Sequence, residues 1–249
     1  MAGRPGDRAD GARRERTAAE RAADAVGALE RKGTRRNREG MARFGIIAPK
    51  AFGVSVAEVR AIAKRLGHDH DLALALWHTG WLEARWLAAF VAEPERLTVR
   101  QMNQWAKDFD NWAVCDSTCF HCFDRSPLAW GRIHAWAGRK PEFVRRAAFA
   151  LLASAAVHDK GAPDGPFLAG LGLVEAAATD ERNYVKKAVN WALRAIGGRN
   201  PALNRAAIKV SQRLAASEDA TARWVGKDAL RAFASPAMKK RVARGARKG

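Results

Sequence analysis

Apolar positions recur at steps of three and four from Thr17 to Phe233, and nowhere do they alternate with polar ones over the length a half-buried strand needs. The punctuation follows the same period. Thr17-Ala-Ala-Glu20, Ser55-Val-Ala-Glu58 and Thr98-Val-Arg-Gln101 each set a hydroxyl three residues ahead of a Glu or Gln, so that side chain and backbone satisfy each other's orphan donors at a helix start. Gly33 and Gly67 supply stops, and Pro94, Pro127, Pro141, Pro166, Pro201 and Pro236 fall near helix boundaries, where a missing N–H costs least. The pattern predicts helices at about 17–32, 55–66, 70–78, 81–92, 98–107, 111–123, 127–137, 141–157, 165–177, 182–196, 201–215 and 219–233. Arg35 to Glu39 reads as a polar link. Met41 to Val54, with Gly45, Pro49 and Gly53 among apolar residues, reads as a short helix and a buried turn. The chain is expected to be all-α.

Several of these helices resemble one another. Leu82-Glu-Ala-Arg-Trp-Leu-Ala, Phe143-Val-Arg-Arg-Ala-Ala, Tyr184-Val-Lys-Lys-Ala-Val and Ala222-Arg-Trp-Val-Gly share a basic residue followed by small and apolar ones. Arg145, Lys186 and Arg223 then align at intervals of 41 and 37 residues, near the roughly 40-residue unit of HEAT-type repeats. The expected architecture is an α-solenoid of HEAT-like antiparallel helix pairs, with basic residues recurring on the helices that line a concave groove. A globular helix bundle is the alternative. The division expected is a disordered tail over 1–16, one solenoid domain over 17–234 and a basic tail over 235–249.

Charge narrows the partner. The 249 residues carry a formal net charge of +18 with a pI near 10.8, a field that attracts polyanions, nucleic acid first. No apolar run approaches the ~20 residues of a spanning helix and no secretory signal is visible, so a soluble cytoplasmic protein is expected. Cys115, Cys119 and Cys122 fall on one i, i+4, i+7 stripe of the kind that faces a core. With His121 on another side they cannot surround a tetrahedral ion, so no metal is expected.

The candidate chemistry lies in Phe109-Asp-Asn-Trp-Ala-Val-Cys-Asp116. On a helix, Trp112 and Asp116 project from one side, an indole one turn from a carboxylate. Aspartate is a poor helix-interior residue, so something beyond local propensity should hold it there. Two explanations stand open: an ion pair with an arginine of the next helix, or catalysis. Asn183, Lys187 and Trp191 share a second such face, and Arg145 and Arg146 begin the matching helix one repeat earlier. Trp77, Trp86, Trp130 and Trp136 lack polar companions and are expected in the core.

Five segments in order, Gly53-Val-Ser-Val-Ala-Glu-Val-Arg60, Leu76-Trp77 with Glu83-Ala-Arg85, Trp112-x-x-x-Asp116, Arg145-Arg-Ala-Ala148 and Tyr184-Val-Lys-Lys-Ala-Val-Asn-Trp-Ala-Leu-Arg194, resemble the DNA alkylation repair family. These are HEAT-like alkylpurine DNA glycosylases, and the likeness runs from about Met41 to Phe233. The resemblance implies Asp116 as the catalytic carboxylate, Trp112 and Trp191 as indoles flanking the lesion's backbone, and Arg146 as a phosphate contact. Arg145, Lys186, Lys187 and Asn183 join it as expected DNA-binding residues on the groove. It further implies a monomer acting in the bacterial cytosol on cationic N3- or N7-alkylpurines in duplex DNA, without flipping the base and with no cofactor. The Cys-rich run after Asp116, the His158-Asp-Lys160 loop and the basic ends depart from the family pattern. The rival functions are a non-catalytic solenoid for distorted or branched DNA and a scaffold for an acidic protein partner.

Overall fold

A computed structural model describes residues 16–245; all but the last residue of the expected N-terminal tail, and 246–249, lie outside them. The chain opens with α1 (Ala18–Glu30), α2 (Arg35–Arg43), α3 (Val56–Leu66), α4 (His70–His78) and α5 (Leu82–Val91). It continues with α6 (Val99–Lys107), α7 (Trp112–His121), α8 (Ala129–Ala137), α9 (Glu142–His158) and α10 (Asp164–Ala177). It closes with α11 (Asn183–Gly197), α12 (Pro201–Ala215), α13 (Ala220–Ala234) and α14 (Pro236–Gly245). Among the described residues there is no strand, and no helix is long and apolar enough to cross a membrane.

The helices stack as pairs. Within a pair α4 packs on α5, α8 on α9, α10 on α11 and α12 on α13. Between pairs the second helices form one continuous row, α5 on α7, α7 on α9, α9 on α11 and α11 on α13, while α8, α10 and α12 form the other. This is the HEAT-like solenoid expected from the repeat spacing. Arg145, Lys186 and Arg223 each stand three residues after the start of α9, α11 and α13, so the sequence alignment of the repeats is also their structural register. Helix α9 sits at the centre and is buried nearly all round, from Val144 to Ala156. Its run of alanines lets α7, α8 and α11 approach closely, since a helix apolar on every side belongs inside.

Capping fixes the starts. Thr17 and Thr98 form complete capping boxes with Glu20 and Gln101, and the Ser55 hydroxyl accepts from the Glu58 N–H at 3.3 Å. Trp77, Trp86 and Trp136 lie in the core, and Trp130 packs edge-on against Phe167 at 5.0 Å.

Two segments differ from expectation. Arg35–Arg43 is a helix and not a link, and the short helix expected after Met41 is only the end of α2, with irregular backbone from Gly45 to Ser55. Helix α2 buries no residue, so it carries no apolar stripe for the period to reveal. Its start was nonetheless written in Thr34, whose hydroxyl accepts from the Asn37 N–H at 3.2 Å. Pro236–Gly245, within the expected basic tail, forms α14 and rests on α12 and α13.

The buried turn in that irregular stretch has a definite cause. The fully buried carboxylate of Glu83 accepts from the backbone N–H groups of Phe52 at 3.1 Å, Gly53 at 2.7 Å and Val54 at 3.1 Å. Gly53 stands at φ +84°, and a Cβ there would lie 2.3 Å from the Thr34 carbonyl oxygen, so no other residue fits. Two of the five family-like segments thus meet at one clamp.

Candidate functional site

Asn111 caps α7, its side-chain oxygen accepting from the Val114 N–H at 3.0 Å, which makes Trp112 the first helical residue. Asp116 follows one turn on and Phe120 one turn further, all three half-buried on one face. From the neighbouring α9, Arg146 meets Asp116 side-on, donating from Nε to Oδ1 at 2.9 Å and from Nη2 to Oδ2 at 2.6 Å. Its Nη1 donates to the Tyr184 carbonyl at 2.6 Å, at the start of α11. The ion pair left open by the sequence therefore exists, and three helices of the second row converge on it.

Exposure decides what this pair can do. The Arg146 side chain is 7% exposed and that of Asp116 19%. Arg146 is buried with three of its donors engaged inside the protein, an orientation that holds a carboxylate and differs from the free fork a phosphate contact needs. Burial pushes the Asp116 carboxyl above the usual aspartate value while Arg146 pulls it down. Burial also works to lower the Arg146 value, and Asp116 more than offsets it, leaving the guanidinium raised. With guanidinium donors on both oxygens, the deprotonated carboxylate is the form this geometry holds.

The remaining expected residues divide. Asn183 and Lys187 are exposed and Trp191 half-buried along one face of α11, and Trp191 stacks on Phe120 at 6.4 Å and 23°. Phe120 thus ties the Trp191 face to that of Trp112 and Asp116. Arg145 and Lys186 point elsewhere. Arg145 pairs with Asp180 at 3.0 Å, a carboxylate that also holds Arg182, and the Lys186 ammonium lies 5.4 Å over the Trp224 ring of α13. Arg223, their counterpart, donates to the Ser217 and Glu218 carbonyls at 2.7 and 3.0 Å. This register position joins neighbouring repeats at Arg145 and Lys186 and braces the α12–α13 loop at Arg223.

Three features of the site escaped the sequence reading. Tyr184, the chain's only tyrosine, lies beneath the Arg146 guanidinium at 5.9 Å and donates from its hydroxyl to the Gly45 carbonyl at 3.2 Å. Trp112 donates its indole N–H to the Phe44 carbonyl at 3.0 Å, so the turn after α2 is tied to the starts of both α7 and α11. Beyond Phe120, His158 Nδ1 lies 2.5 Å from Asp124 Oδ2, and the Phe120 and His158 rings meet edge-on at 4.2 Å. Asp124 has no side-chain exposure, and burial raises its carboxyl against the opposing pull of His158. The helical spacing Trp112, Asp116, Phe120 was the available signal for the last of these; contacts with Phe44 and Gly45 span far too much chain for any local pattern.

The cysteine stripe faces α9, with the Cys115 thiol 3.8 Å from the Phe143 carbonyl and that of Cys119 3.6 Å from the Ala147 carbonyl. Burial pushes the Cys119 and Cys122 thiols up, which removes them as nucleophiles. Among the described residues no group of three or more His, Cys, Asp or Glu is arranged to hold a metal ion.

No curated protein is similar enough to count as a match. A solved structure described as "A new family of proteins related to the HEAT-like repeat DNA glycosylases with affinity for branched DNA structures" superposes with a TM-score of 0.70. The two chains are 18% identical, over 84% of this chain and 94% of that one, a likeness of fold. A model of the family described as DNA alkylation repair enzyme matches residues 26–233, most of the folded helices and all five of the segments singled out above, and the chain belongs to that family.

Proposed function

We propose that this chain is a DNA glycosylase that binds duplex DNA across the second-helix row and hydrolyses the N-glycosidic bond of purines alkylated at N3 or N7. The observation that carries the proposal is the Asp116 carboxylate, fixed side-on by Arg146 and still partly open, on a face with Trp112 and, through Phe120, Trp191.

An alkylated purine of this kind is already cationic, so it leaves as a neutral base without prior protonation. As the C1′–N bond breaks, its electron pair goes to the base and positive charge develops on the sugar. A fixed carboxylate near that sugar stabilises the charge because it needs no reorganisation. A water oxygen then bonds to C1′, and its proton passes to solvent or to Asp116. Each carboxylate oxygen has a lone pair beyond the one given to Arg146, so the same group can both hold the arginine and face the sugar. Arg146 is a positioning residue in this scheme. The Trp112 N–H is committed to the Phe44 carbonyl, which leaves the ring itself to lie against deoxyribose C–H groups. Lys187 and Asn183, exposed on α11, contact phosphate. The net charge of +18 supplies the long-range attraction. The lesion stays unflipped, the protein acts as a monomer in the cytoplasm, and the chemistry calls for neither metal nor cofactor.

A second reading has its own support. The solved structure of like fold is described as having affinity for branched DNA, and an Asp–Arg pair so complete is sufficient as a purely structural bond. On that reading the chain binds branched DNA without cutting. Incubation with methylated duplex DNA, following release of 7-methylguanine or 3-methyladenine, distinguishes the two. Release supports the glycosylase; tight binding to a three-way junction with no release supports the alternative.

A further inference from the structure

Phe44 and Ile47 are the most exposed large apolar side chains described, at 73% and 76%, and they flank a single turn. Isolated exposed apolar residues are ordinary, but these two stand on backbone that is held from several sides. The Phe44 carbonyl accepts from Trp112 and the Gly45 carbonyl from Tyr184, while the Phe44 and Ile46 N–H groups both donate to the Met41 carbonyl, at 3.0 and 3.1 Å. Gly45 stands at φ +70°, and a Cβ there would come 3.1 Å from the Tyr184 hydroxyl. Ile46, between them, packs inward against the core. The turn is rigid and presents Phe44 and Ile47 outward.

Its surroundings select the partner. The exposed cations Arg35, Arg36, Arg38, Arg43 and Lys50 lie on the same stretch, and its single acid, Glu39, is already bonded to Arg35 at 2.6 Å. Apolar tips on a stretch that keeps four further cations beyond the Arg35–Glu39 pair suit a partner with a polyanionic outside and a stackable inside, which is DNA. A flat lipid surface would meet the charge and the tips equally, but the tips are tied to Trp112, one turn from the recessed Asp116. Phe44 therefore stands directly beside Trp112.

Resting on the reading of DNA as the partner, we infer that Phe44 and Ile47 form a wedge that enters a base step beside the nucleotide held at Trp112 and Asp116. It enters most readily where stacking is already weakened by damage or a branch. Partial unstacking would open the strand enough for the sugar to reach Asp116 while the lesion itself stays outside any pocket.

The test uses the full chain and a duplex carrying 2-aminopurine next to an abasic-site analogue, at moderate salt. Wild type should raise the 2-aminopurine fluorescence on binding. The Phe44→Ser/Ile47→Ser variant should melt as wild type does, lose that rise and bind roughly tenfold or more weakly, the scale of losing a base–aromatic contact. Phe44→Trp/Ile47→Ser, with Trp in place of Ser at position 44, should restore the rise. If the variant binds and unstacks as wild type does, the wedge is wrong while the DNA reading stands. If wild type does not bind the duplex, both fall together. Loss of binding to anionic phosphatidylserine vesicles with unchanged DNA binding would assign the turn to a membrane and overturn the wedge, as would a wild-type dimer that the variant dissolves.

Discussion

Arg146 holds Asp116 by two parallel bonds, Nε to Oδ1 and Nη2 to Oδ2, and it does so from inside the protein, with its third engaged donor on the Tyr184 carbonyl. On the proposed function the carboxylate is both a structural partner and the group offered to a substrate, and a single substitution cannot separate the two roles by stability alone. Breaking a buried pair by removing one partner costs roughly 3–5 kcal/mol, because the other charge is stranded. Arg146→Ala and Asp116→Asn should each lose about that much in chemical denaturation. The joint replacement Arg146→Met/Asp116→Leu should recover most of it and still show no base release. A double variant as unstable as either single one would mean that the pair is not the main bond between α7 and α9.

The same geometry sets a pH dependence. Burial raises the Asp116 carboxyl above its ordinary value, and only the deprotonated form can stabilise a sugar cation. The proposed activity should therefore be present above the folded-state pKa and lost as pH falls through it. A single-turnover pH profile should show an acid limb above 3.8, the unperturbed aspartate value. A limb at or below that value would show that Arg146 dominates over burial.

Adjacent lysines should behave differently. Lys187 is exposed beside Asn183 and Trp191, whereas Lys186 lies over Trp224. Lys187→Ala should weaken binding to all duplexes alike and lower the salt slope by about one, with no change in melting. Lys186→Ala should leave that slope nearly intact. Equal effects from the two, measured by salt-dependent anisotropy, would contradict the assignment of faces.

Much of this was legible in the chain because HEAT-like helices are local objects. The 3.6-residue period and the caps at Thr17, Ser55 and Thr98 located the helices to within a few residues, and the intervals between Arg145, Lys186 and Arg223 gave the repeat. Helix α2 was missed because it buries nothing, so its only signal was the cap at Thr34. In the site, Trp112 and Asp116 shared a face by spacing alone. The side of α9 from which Arg146 points was not legible, because two successive arginines differ by one helical step and only packing tells the buried from the partly exposed one. The Glu83 clamp on Gly53 and the ties of Trp112 and Tyr184 to the α2 turn join residues 30 to 139 positions apart, where neither period nor propensity reaches.

The central claim is that Asp116 drives base loss, and the most direct measurement is the single-turnover release of 7-methylguanine or 3-methyladenine from methylated duplex DNA. Wild type and Asp116→Asn are compared at a temperature where melting shows both to be folded. Wild type should release the base, and Asp116→Asn should bind the duplex comparably while releasing it about 10²–10³ times more slowly, the usual loss for a preorganised charge-stabilising group. Release by the folded variant at the wild-type rate, or no release by a wild-type protein that binds the duplex tightly, would contradict the account.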